Sequence, residues 1–322
     1  MKVAELASLA GGRIVRGDGR AEAASVTNDS RQAAAGTVFV AIDGHRDDGV
    51  RYAADAVRLG CPAVFAGSEP PVGLEPGSAA WIVVPDARLA LSAIADALAG
   101  HPTRGLRVVG ITGTNGKTTT SYLVAAGLEA VGVPAALIGT IAIRSCGRTR
   151  KSSLTTPEAP IIHGVAAEQA ACGGGALVFE VSSHALKLRR ADHVDFDVAV
   201  FTNLTQDHMD FHPTWEDYLG SKRRLFTDLL PEGRVAVVNA ADPRVAEVTR
   251  GTRARIVDYS MDPGSGAEIR PISCKTGIDG FEAVLRTPWG EVAARSRLVG
   301  AVNVMNFMAA LGAILVAILQ GQ

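Results

Sequence analysis

The sequence has few features that would assign it to a specialised class of protein. Its 32 lysines and arginines are balanced by 33 aspartates and glutamates. No basic face therefore indicates nucleic-acid binding, and no polybasic run indicates a membrane surface. There are only four cysteines, Cys61, Cys146, Cys172 and Cys274, and they form no Cys-x-x-Cys pair. We expect reduced, mostly buried thiols, as in a cytoplasmic protein, rather than a disulfide framework or a zinc site.

Sustained apolar segments are also rare. The amino terminus has an acidic residue at position 5 and no apolar core, which argues against a secretory signal peptide. One run, Ala301–Leu319, approaches the length of a membrane span. Asn303 and Asn306 interrupt one helical face of this run, Gly312 lies inside it, and no basic residues flank its end. We expect no membrane insertion, and a helix that other parts of the protein cover on most sides.

A glycine-rich segment at residues 110–120 is the most informative part of the chain. It follows an apolar, strand-like run at 106–111 and leads into a helical pattern at 121–131. In such a turn the backbone N–H groups point at an anion, and the helix N-terminus adds partial positive charge. Lys117 can reach the β- and γ-phosphates of a nucleotide, and the Thr118 hydroxyl can ligate Mg²⁺. A strict Walker pattern requires glycine where this chain has Ile111, so the loop is a variant. The alternative is a tight glycine turn without a ligand.

The length suggests two domains, and the alternation of strand and helix patterns predicts an α/β fold for both. The polar segment at 101–105 contains a helix-stopping proline, so we place the boundary between residues 1–103 and 104–322. The first part has strand patterns at 37–42, 63–66 and 81–84, and helical patterns at 52–59 and 87–98. The second part has strand patterns at 107–111, 135–140, 176–181, 198–202 and 234–239, and helical patterns at 121–131, 161–171 and 215–229. We expect a doubly wound, mostly parallel sheet there.

Polar side chains follow directly after several of these strands, where doubly wound sheets bind ligands. Glu180 ends an apolar strand and can hold Mg²⁺, which prefers oxygen ligands. Taken alone, this segment is equally compatible with a hydrogen-bond network at a strand end. His208 lies in a polar turn with Asn203 and Asp207, where it can ligate a metal or position a phosphoryl group.

Together, these segments resemble the Mur ligases, a family that forms amide bonds of peptidoglycan precursors at the expense of ATP. The matching motifs are Gly113-Thr114-Asn115-Gly116-Lys117-Thr118, Glu180-Val181-Ser182-Ser183-His184, Asn203-Leu204-Thr205-Gln206-Asp207-His208 and Gly300-Ala301-Val302-Asn303-Val304-Met305-Asn306. The resemblance runs from about residue 20 to residue 319. Other segments are most similar to members that add the third peptide residue to UDP-N-acetylmuramoyl-L-alanyl-D-glutamate. These segments are Asn28-Asp29-Ser30-Arg31, the 44–49 loop, Leu154-Thr155-Thr156-Pro157 and Arg190.

The resemblance implies roles for matched positions. ATP would be bound by Gly113, Thr114, Asn115, Gly116, Lys117, Thr118, Thr119 and Asn303. A magnesium site would use Thr118, Glu180, His208 and Lys222, and the catalytic residues would be Lys117, His208 and Lys222. The family lysine that matches Lys222 is carbamylated by CO₂, which replaces a cation with a carboxylate-like oxygen ligand. That reaction needs a neutral amine, so we expect the pKa of Lys222 to be lowered. Without the resemblance, this basic stretch would be a solvated helix face.

The resemblance also implies the substrates, UDP-N-acetylmuramoyl-dipeptide and an amino acid. Residues 1–103 would form the UDP-substrate domain, with Ser30, His45, Arg46 and Asp47 holding the uridine nucleotide. The muramoyl-dipeptide end would lie against Thr155, Thr156, Ser182 and Arg190. Family members have a further C-terminal domain that this chain does not contain, so the resemblance implies a truncated form whose activity alone stays open. It implies a monomer when full length, and leaves meso-diaminopimelate and L-lysine open as the added residue.

Three other functions fit parts of the same sequence. Folylpolyglutamate synthetase shares the phosphate loop and the carbamylated lysine, but the Ser30 and Thr155-Thr156 motifs argue against it. A module that binds nucleotide and UDP-substrate without turnover fits the same residues. A P-loop kinase or GTPase fits the loop alone and leaves Glu180 and the N-terminal part unexplained.

Overall fold

The computed structural model describes residues 1–44, 48–73 and 79–319. His45, Arg46 and Asp47, which we expect to contact the uridine nucleotide, lie outside the described residues. The chain divides into two compact units. Unit 1 comprises Met1–Pro102, Glu158–Ala167 and Leu188–His193, and unit 2 comprises Thr103–Pro157, Glu168–Lys187 and the chain from Val194 onwards. The sequence did not indicate the two later segments of unit 1.

The described part of unit 1 contains a five-stranded sheet with the order β1-β5-β4-β3-β2. Strands β2 to β5 are parallel, and β1 is antiparallel to β5. Every residue of β3 and β4 is buried, which explains why both strands are apolar apart from Thr37. The elements are α1 (Val3–Leu9), β1 (Arg13–Arg16), β2 (Ser25–Thr27), β3 (Thr37–Ala41), α2 (Ala53–Arg58), β4 (Ala63–Ala66), β5 (Ala80–Val83) and α3 (Ala87–Leu98).

Unit 2 is built on an eight-stranded sheet in its described residues, with the order β13-β12-β11-β6-β10-β7-β8-β9. The six strands from β13 to β7 are parallel. The antiparallel β8–β9 hairpin extends the sheet at one edge. The strands are β6 (Arg107–Thr112), β7 (Ala135–Ile138), β8 (Ala142–Ser145), β9 (Arg148–Lys151), β10 (Ala176–Glu180), β11 (Val198–Phe201), β12 (Val235–Asn239) and β13 (Arg255–Tyr259). The predicted doubly wound, mostly parallel α/β fold is confirmed.

The remaining elements of unit 2 surround or follow this sheet. A short π-helical turn, Leu225–Leu229, ends the helical pattern that the sequence places at 215–229. The helices are α4 (Lys117–Ala130), α5 (Ala159–Ala171), α6 (Ser183–Lys187), α7 (Trp215–Arg224), α8 (Val245–Thr249) and α9 (Ala301–Leu319). Helix α5 contributes its residues up to Ala167 to unit 1. A separate antiparallel sheet contains β14 (Arg270–Gly277), β15 (Gly280–Thr287) and β16 (Gly290–Ser296).

The strand register of unit 2 brings three loops to one edge of the sheet. Glu180 at the end of β10 pairs with Ile111 of β6, and Phe201 at the end of β11 pairs with Thr112. The chain therefore leaves β6, β10 and β11 at the same level. In a doubly wound sheet the crevice at these carboxyl ends is where ligands bind.

Within the described residues, one helix, α9, is long enough and apolar enough to cross a membrane. Of its apolar window, 50% is buried inside the protein. It packs against α4 and strands β6, β11, β12 and β13. Val304, Met308 and Ala313 belong to the core cluster that these strands share. A Cβ on Gly312 would lie 2.8 Å from the Ile269 side chain and 3.0 Å from that of Val237. These contacts are those of a core helix, as its interrupted apolar pattern predicts.

The expectation of four free thiols is wrong for one pair. Cys146 and Cys172 form a disulfide with their Cα atoms 6.1 Å apart. Cys61 is a buried free cysteine, and Cys274 is free and half-buried. Cys146 lies in the β8–β9 turn and Cys172 follows the end of α5, 26 residues away in sequence. The sequence could not indicate the pair because only the folded sheet edge brings these positions together.

Candidate active site at the carboxyl ends of β6, β10 and β11

The loop between β6 and α4 has the backbone that a phosphate cradle requires. Gly113 has φ +147° and Gly116 has φ +86°, conformations that residues with a side chain rarely adopt. A Cβ on Gly113 would collide with the Thr202 hydroxyl, and one on Gly116 would lie 2.5 Å from Asn306 Oδ1. Helix α4 begins at Lys117, earlier than the helical pattern indicates. Its free N–H groups and positive end therefore face the loop.

Hydrogen bonds fix this loop to the segment that follows β11. The N–H of Thr114 donates to Asn203 O at 2.8 Å, and the N–H of Asn115 donates to Asn203 Oδ1 at 3.0 Å. The Thr202 hydroxyl donates to Asn115 O at 2.6 Å. These hydrogen bonds join the two strand-end loops, so residues of both loops fix the shape of the cradle.

Tyr218 of α7 contacts the same pair of loops from a third direction. Its hydroxyl lies 2.9 Å from Thr114 Oγ1, which donates in turn to Thr205 O at 3.0 Å. Tyr218 is fully buried, and burial raises its pKa to about 12, so the phenol stays protonated in the physiological range. Its ring also faces Lys222, whose Nζ lies 4.7 Å from the ring centroid. Tyr218 thus positions the phosphate loop and Lys222 together.

The two lysines of the site share one acceptor. Nζ of Lys117 donates to Gly113 O at 2.9 Å and to Thr114 O at 2.8 Å. Nζ of Lys222 donates to Gly113 O at 2.8 Å. Burial lowers the pKa of Lys117, although Glu180 and Asp207 oppose the shift. Burial, followed by the charge of Lys117, lowers the pKa of Lys222 well below its usual value. The geometry therefore favours a neutral amine at Lys222.

Glu180 is the centre of an oxygen-rich cluster opposite the loop. Its fully buried side chain accepts hydrogen bonds from the Thr118 hydroxyl at 2.9 Å, the Thr140 N–H at 2.9 Å and the Thr140 hydroxyl at 3.1 Å. A Cβ on Gly139 would collide with Oε1 of this carboxylate. Hydroxyl and carboxylate oxygens at this spacing are the donors that Mg²⁺ prefers. Thr140 and Gly139 are not predicted as site residues from the sequence, since nothing in their local sequence indicates a metal or substrate site.

His208 lies at the rim of the same cavity. Its backbone has φ +55°, a conformation that non-glycine residues adopt uncommonly and that occurs at functional sites. The His184 ring centroid is 4.7 Å from that of His208. The cavity has a volume of about 240 Å³. It is lined by Thr114, Asn115, Gly116, Lys117, Thr118, Thr119, Thr140, Thr155, Glu180, Ser182, Ser183, His208 and Lys222. Most residues expected to bind nucleotide and metal therefore lie around one cavity.

Two threonines expected to contact the dipeptide are tied to this cavity within unit 2. The hydroxyls of Thr155 and Thr140 are 3.0 Å apart. The Thr156 hydroxyl donates to Glu180 O at 2.7 Å and lies 3.2 Å from Ser182 Oγ. The N–H of Ser182 donates to Thr156 Oγ1 at 3.0 Å. The segment after β9 is thereby fixed beside Glu180.

Three other candidates lie elsewhere. Ser30 opens a short 3₁₀ turn in unit 1, which Asp29 caps by accepting from the Arg31 N–H. Arg190, also in unit 1, makes an ion pair with Glu158 at 2.8 Å. Asn303 is half-buried near the start of α9, and its side chain accepts from Asn306 Nδ2 at 3.3 Å. Asn306, rather than Asn303, lies directly against Gly116.

The parallel sheet, the glycine turn at the start of α4 and the buried carboxylate on the neighbouring strand define a phosphate-loop protein of the α/β class. Residues 111–314 match the family described as Mur ligase middle domain. The chain belongs to the Mur ligase family.

Individual relatives agree with this assignment. The chain is 41% identical over 320 residues to the UDP-N-acetylmuramoyl-L-alanyl-D-glutamate--2,6-diaminopimelate ligase of Geobacter sulfurreducens, covering 97% of this chain and 62% of that protein. A solved structure of a ligase of the same name matches with a TM-score of 0.83 and 26% identity, covering 98% of this chain and 63% of the other. Folylpolyglutamate synthase of Mycobacterium tuberculosis, solved with ADP and AMPPCP, shares the fold with a TM-score of 0.57 at 18% identity, covering 71% of this chain and 58% of that one. The chain thus spans a little over three fifths of its curated relative.

Proposed function

We propose that this chain carries the nucleotide and UDP-substrate sites of an ATP-dependent amide ligase of peptidoglycan precursor synthesis. The reaction would add meso-diaminopimelate or L-lysine to UDP-N-acetylmuramoyl-L-alanyl-D-glutamate. The observation that carries the proposal is the 41% identity to a ligase of that name over 97% of this chain. The convergence of the family motifs on one cavity supports it.

The loop residues fit the phosphates of ATP. Gly116 leaves no room for a Cβ beside Asn306, and the N-terminal N–H groups of α4 are available to phosphate oxygens. Lys117 Nζ donates to the carbonyl oxygens of Gly113 and Thr114. Phosphate oxygens would be stronger acceptors for an ammonium group. We expect Lys117 to turn from these carbonyls to the β- and γ-phosphates when ATP binds.

The residues around Glu180 fit a magnesium ion. Thr118 and Glu180 supply a hydroxyl and a carboxylate 2.9 Å apart, and His208 and Lys222 line the same cavity. A carbamate on Lys222 would add a second anionic oxygen donor, and its formation requires the neutral amine that burial favours. When bound, the ion would neutralise phosphate charge and help align the reacting groups.

The chemistry would proceed in two steps. The D-glutamate carboxylate attacks the γ-phosphorus of ATP, which gives an acyl phosphate and ADP. The amine of the incoming amino acid then attacks the acyl carbon and releases phosphate. Both reactants of the first step are anions, so cationic Lys117 and the N-terminus of α4 would lower the repulsion between them. Thr155, Thr156 and Ser182 would hold the dipeptide end beside the γ-phosphate.

Calorimetric titration tests the substrate assignment on this chain. We expect binding of UDP-N-acetylmuramoyl-L-alanyl-D-glutamate in the presence of a non-hydrolysable ATP analogue. UDP-N-acetylglucosamine serves as a matched control without the dipeptide and should bind much more weakly. A folate polyglutamate should not bind. Binding of the folate compound in preference to the muramoyl-dipeptide would contradict the proposal. If the muramoyl-dipeptide binds, phosphate release measured with meso-diaminopimelate and with L-lysine identifies the amino acid that is added.

A further inference from the structure

A second cavity lies at the hairpin edge of the unit 2 sheet, and its lining differs entirely from that of the candidate active site. Its volume is about 400 Å³. Cys146 and Cys172, which form the disulfide, both line it. Arg144, Arg148 and Glu129 provide its charged side chains. A reducible bond and two basic groups therefore share one surface recess.

The disulfide is accessible to a small nucleophile. Cys172 is an exposed residue after the end of α5, and Cys146 is half-buried in the β8–β9 turn. Disulfide exchange begins when a thiolate attacks one sulfur atom, and access to that sulfur controls the rate. Attack is therefore expected at Cys172, with Cys146 as the leaving thiolate. Exposed disulfides are also the ones most often labile or regulatory.

The surrounding contacts accommodate the reduced form as well as the oxidised one. The Cys146 sulfur lies 3.0 Å from Glu168 O, and the Cys172 sulfur lies 3.3 Å from Gln169 O. Each thiol would thus have a carbonyl acceptor after reduction. The buried Gln169 side chain accepts from the Cys146 N–H at 3.1 Å and donates to Pro134 O at 3.0 Å. These bonds hold the hairpin turn against α5 without the disulfide, so reduction does not require unfolding.

The charges of the recess select the reacting partner. Arg144 makes an ion pair with Glu129 at 3.2 Å, which leaves the exposed Arg148 to give the lining a net positive charge. A recess with a net positive charge raises the local concentration of anionic ligands. A thiol that carries carboxylate groups is therefore favoured over a neutral thiol of the same reactivity.

We propose that Cys146–Cys172 is a thiol–disulfide exchange site for small anionic thiols, namely carboxylate-bearing thiols of amino-acid or short-peptide type. The thiolate of the first molecule attacks the Cys172 sulfur, the S–S bond breaks, and Cys146 leaves as a thiolate that takes up a proton. A second thiol molecule attacks the mixed disulfide and releases Cys172. The balance is two thiols consumed, one small-molecule disulfide formed and two protein thiols produced. The cavity is the binding site for the carboxylates during this exchange.

The test compares two probes of nearly the same size, N-acetylcysteine, which is anionic, and its neutral amide. Second-order rate constants for reduction of the full chain are measured by alkylation and mass spectrometry, and each is divided by the rate constant for a neutral reference disulfide. We expect the anionic probe to be favoured by about fivefold at low ionic strength, and the preference to decline as salt is added. Mass mapping should place the transient adduct on Cys172.

Two variants with the same change of charge locate the effect. Arg148→Glu should abolish or reverse the preference. Arg150→Glu lies on the same strand outside the cavity lining and should retain most of it. Circular dichroism confirms that both variants are folded. A normalised ratio near one for the unmodified chain, an equal effect of both variants, or free Cys146 and Cys172 thiols in the air-oxidised chain would each overturn the proposal.

Discussion

Lys117 and Lys222 donate to the same carbonyl oxygen, that of Gly113, at 2.9 and 2.8 Å. A proton on Lys222 would place a second ammonium group beside that of Lys117, and this repulsion adds to burial in lowering the pKa of Lys222. The change proposed for each lysine removes this repulsion between two positive charges. Lys117 would move to nucleotide phosphates, and Lys222 would become an anionic carbamate. The crowded pair at Gly113 is thus an arrangement that ATP and CO₂ would each relieve.

Lys117→Ala should weaken ATP binding by about 10- to 100-fold, because a charged hydrogen bond to phosphate contributes ~1.5–3 kcal/mol. Binding of UDP-N-acetylmuramoyl-dipeptide should be largely retained, since the uridine contacts are proposed for unit 1. Calorimetric titration of both ligands measures the two effects. Lys151→Ala removes an exposed lysine outside the cavity and serves as the control. Equal loss of both ligands would show that the two sites cannot be separated in this way.

Lys222 should carry a carbamate when the protein is equilibrated with bicarbonate. Its lowered pKa leaves more neutral amine at pH 8 than an ordinary lysine has, so the modification should form there on Lys222 before other lysines. Labelling with ¹³C-bicarbonate and NMR detects the carbamate carbon. Lys222→Ala should lack the signal and lose activity in a catalytically competent form of the enzyme. A short carboxylic acid should restore part of that activity, whereas bicarbonate should not. Undiminished turnover in the variant would contradict the metal-organising role.

The same lysine should make stability depend on pH in CO₂-free buffer. The pKa of Lys222 is lower in the folded than in the unfolded state, so the unfolded state binds more protons between the two values. Stability should therefore rise with pH through that window, up to the ordinary lysine pKa. Lys222→Met removes the titrating group and should be more stable than the parent at neutral pH, by a margin that shrinks as the pH rises. Urea unfolding at several pH values gives the comparison, and a constant difference would argue against a neutral buried amine.

Gly116→Ala should destabilise the loop through both its backbone and its contact with Asn306. The positive φ of +86° disfavours alanine by ~1–2 kcal/mol, and the new Cβ would lie 2.5 Å from Asn306 Oδ1. Gly132→Ala is a matched control, since its φ is +80° and a Cβ there would meet nothing within 4 Å. Thermal unfolding and ATP titration should show a larger loss for Gly116→Ala. Adding Asn306→Ala should restore only the stability lost to the contact between the new Cβ and Asn306. Identical losses of stability in the two glycine variants would show that this contact contributes nothing.

Glu180→Gln should weaken ATP binding in the presence of magnesium and change it little without the ion. The amide keeps the size of the side chain and removes the anionic ligand opposite Thr118. Titration of ATP with magnesium and then with EDTA separates the two cases. Glu129→Gln changes a carboxylate of the second cavity and should leave both affinities as they are. A loss of the same size in EDTA would indicate that Glu180 acts through the loop rather than through a metal.

The parallel sheet and the convergence of its strand-end loops could be predicted because their signals are local. The central residues of the strands predicted at 107–111, 176–181 and 198–202 are apolar, as in buried parallel strands, and each strand is followed by a polar turn. The predicted strand 63–66 and helix 87–98 coincide with β4 and α3. The hairpin β8–β9 was missed because β9 is wholly exposed and basic and lacks the alternating pattern of a half-buried strand.

Contacts made by the tertiary structure alone could not be predicted. Thr140 reaches Glu180 because β7 lies beside β10, and neither residue carries a sequence signal for the other. Asn306 of α9, and not Asn303, lies against Gly116 of the phosphate loop because of the rotation of the helix about its axis, which the sequence does not reveal. The disulfide depends on a sheet edge that only the folded chain creates. Where a site is built from two segments distant in sequence, the apolar pattern identifies each segment as a strand or helix but does not give the distance between them in the folded chain.

The packing of α9 has a consequence for the shape of the nucleotide loop. Asn306 lies against Gly116, and six residues further along Gly312 allows the helix to rest on Val237 and Ile269, a distance of about 9 Å along the axis. A side chain at Gly312 would lift the helix from the sheet and tilt it at Asn306. The loop would then open or tighten without any change in its own sequence. The shape of the nucleotide loop therefore depends on the packing of a residue two helical turns away that does not touch the loop.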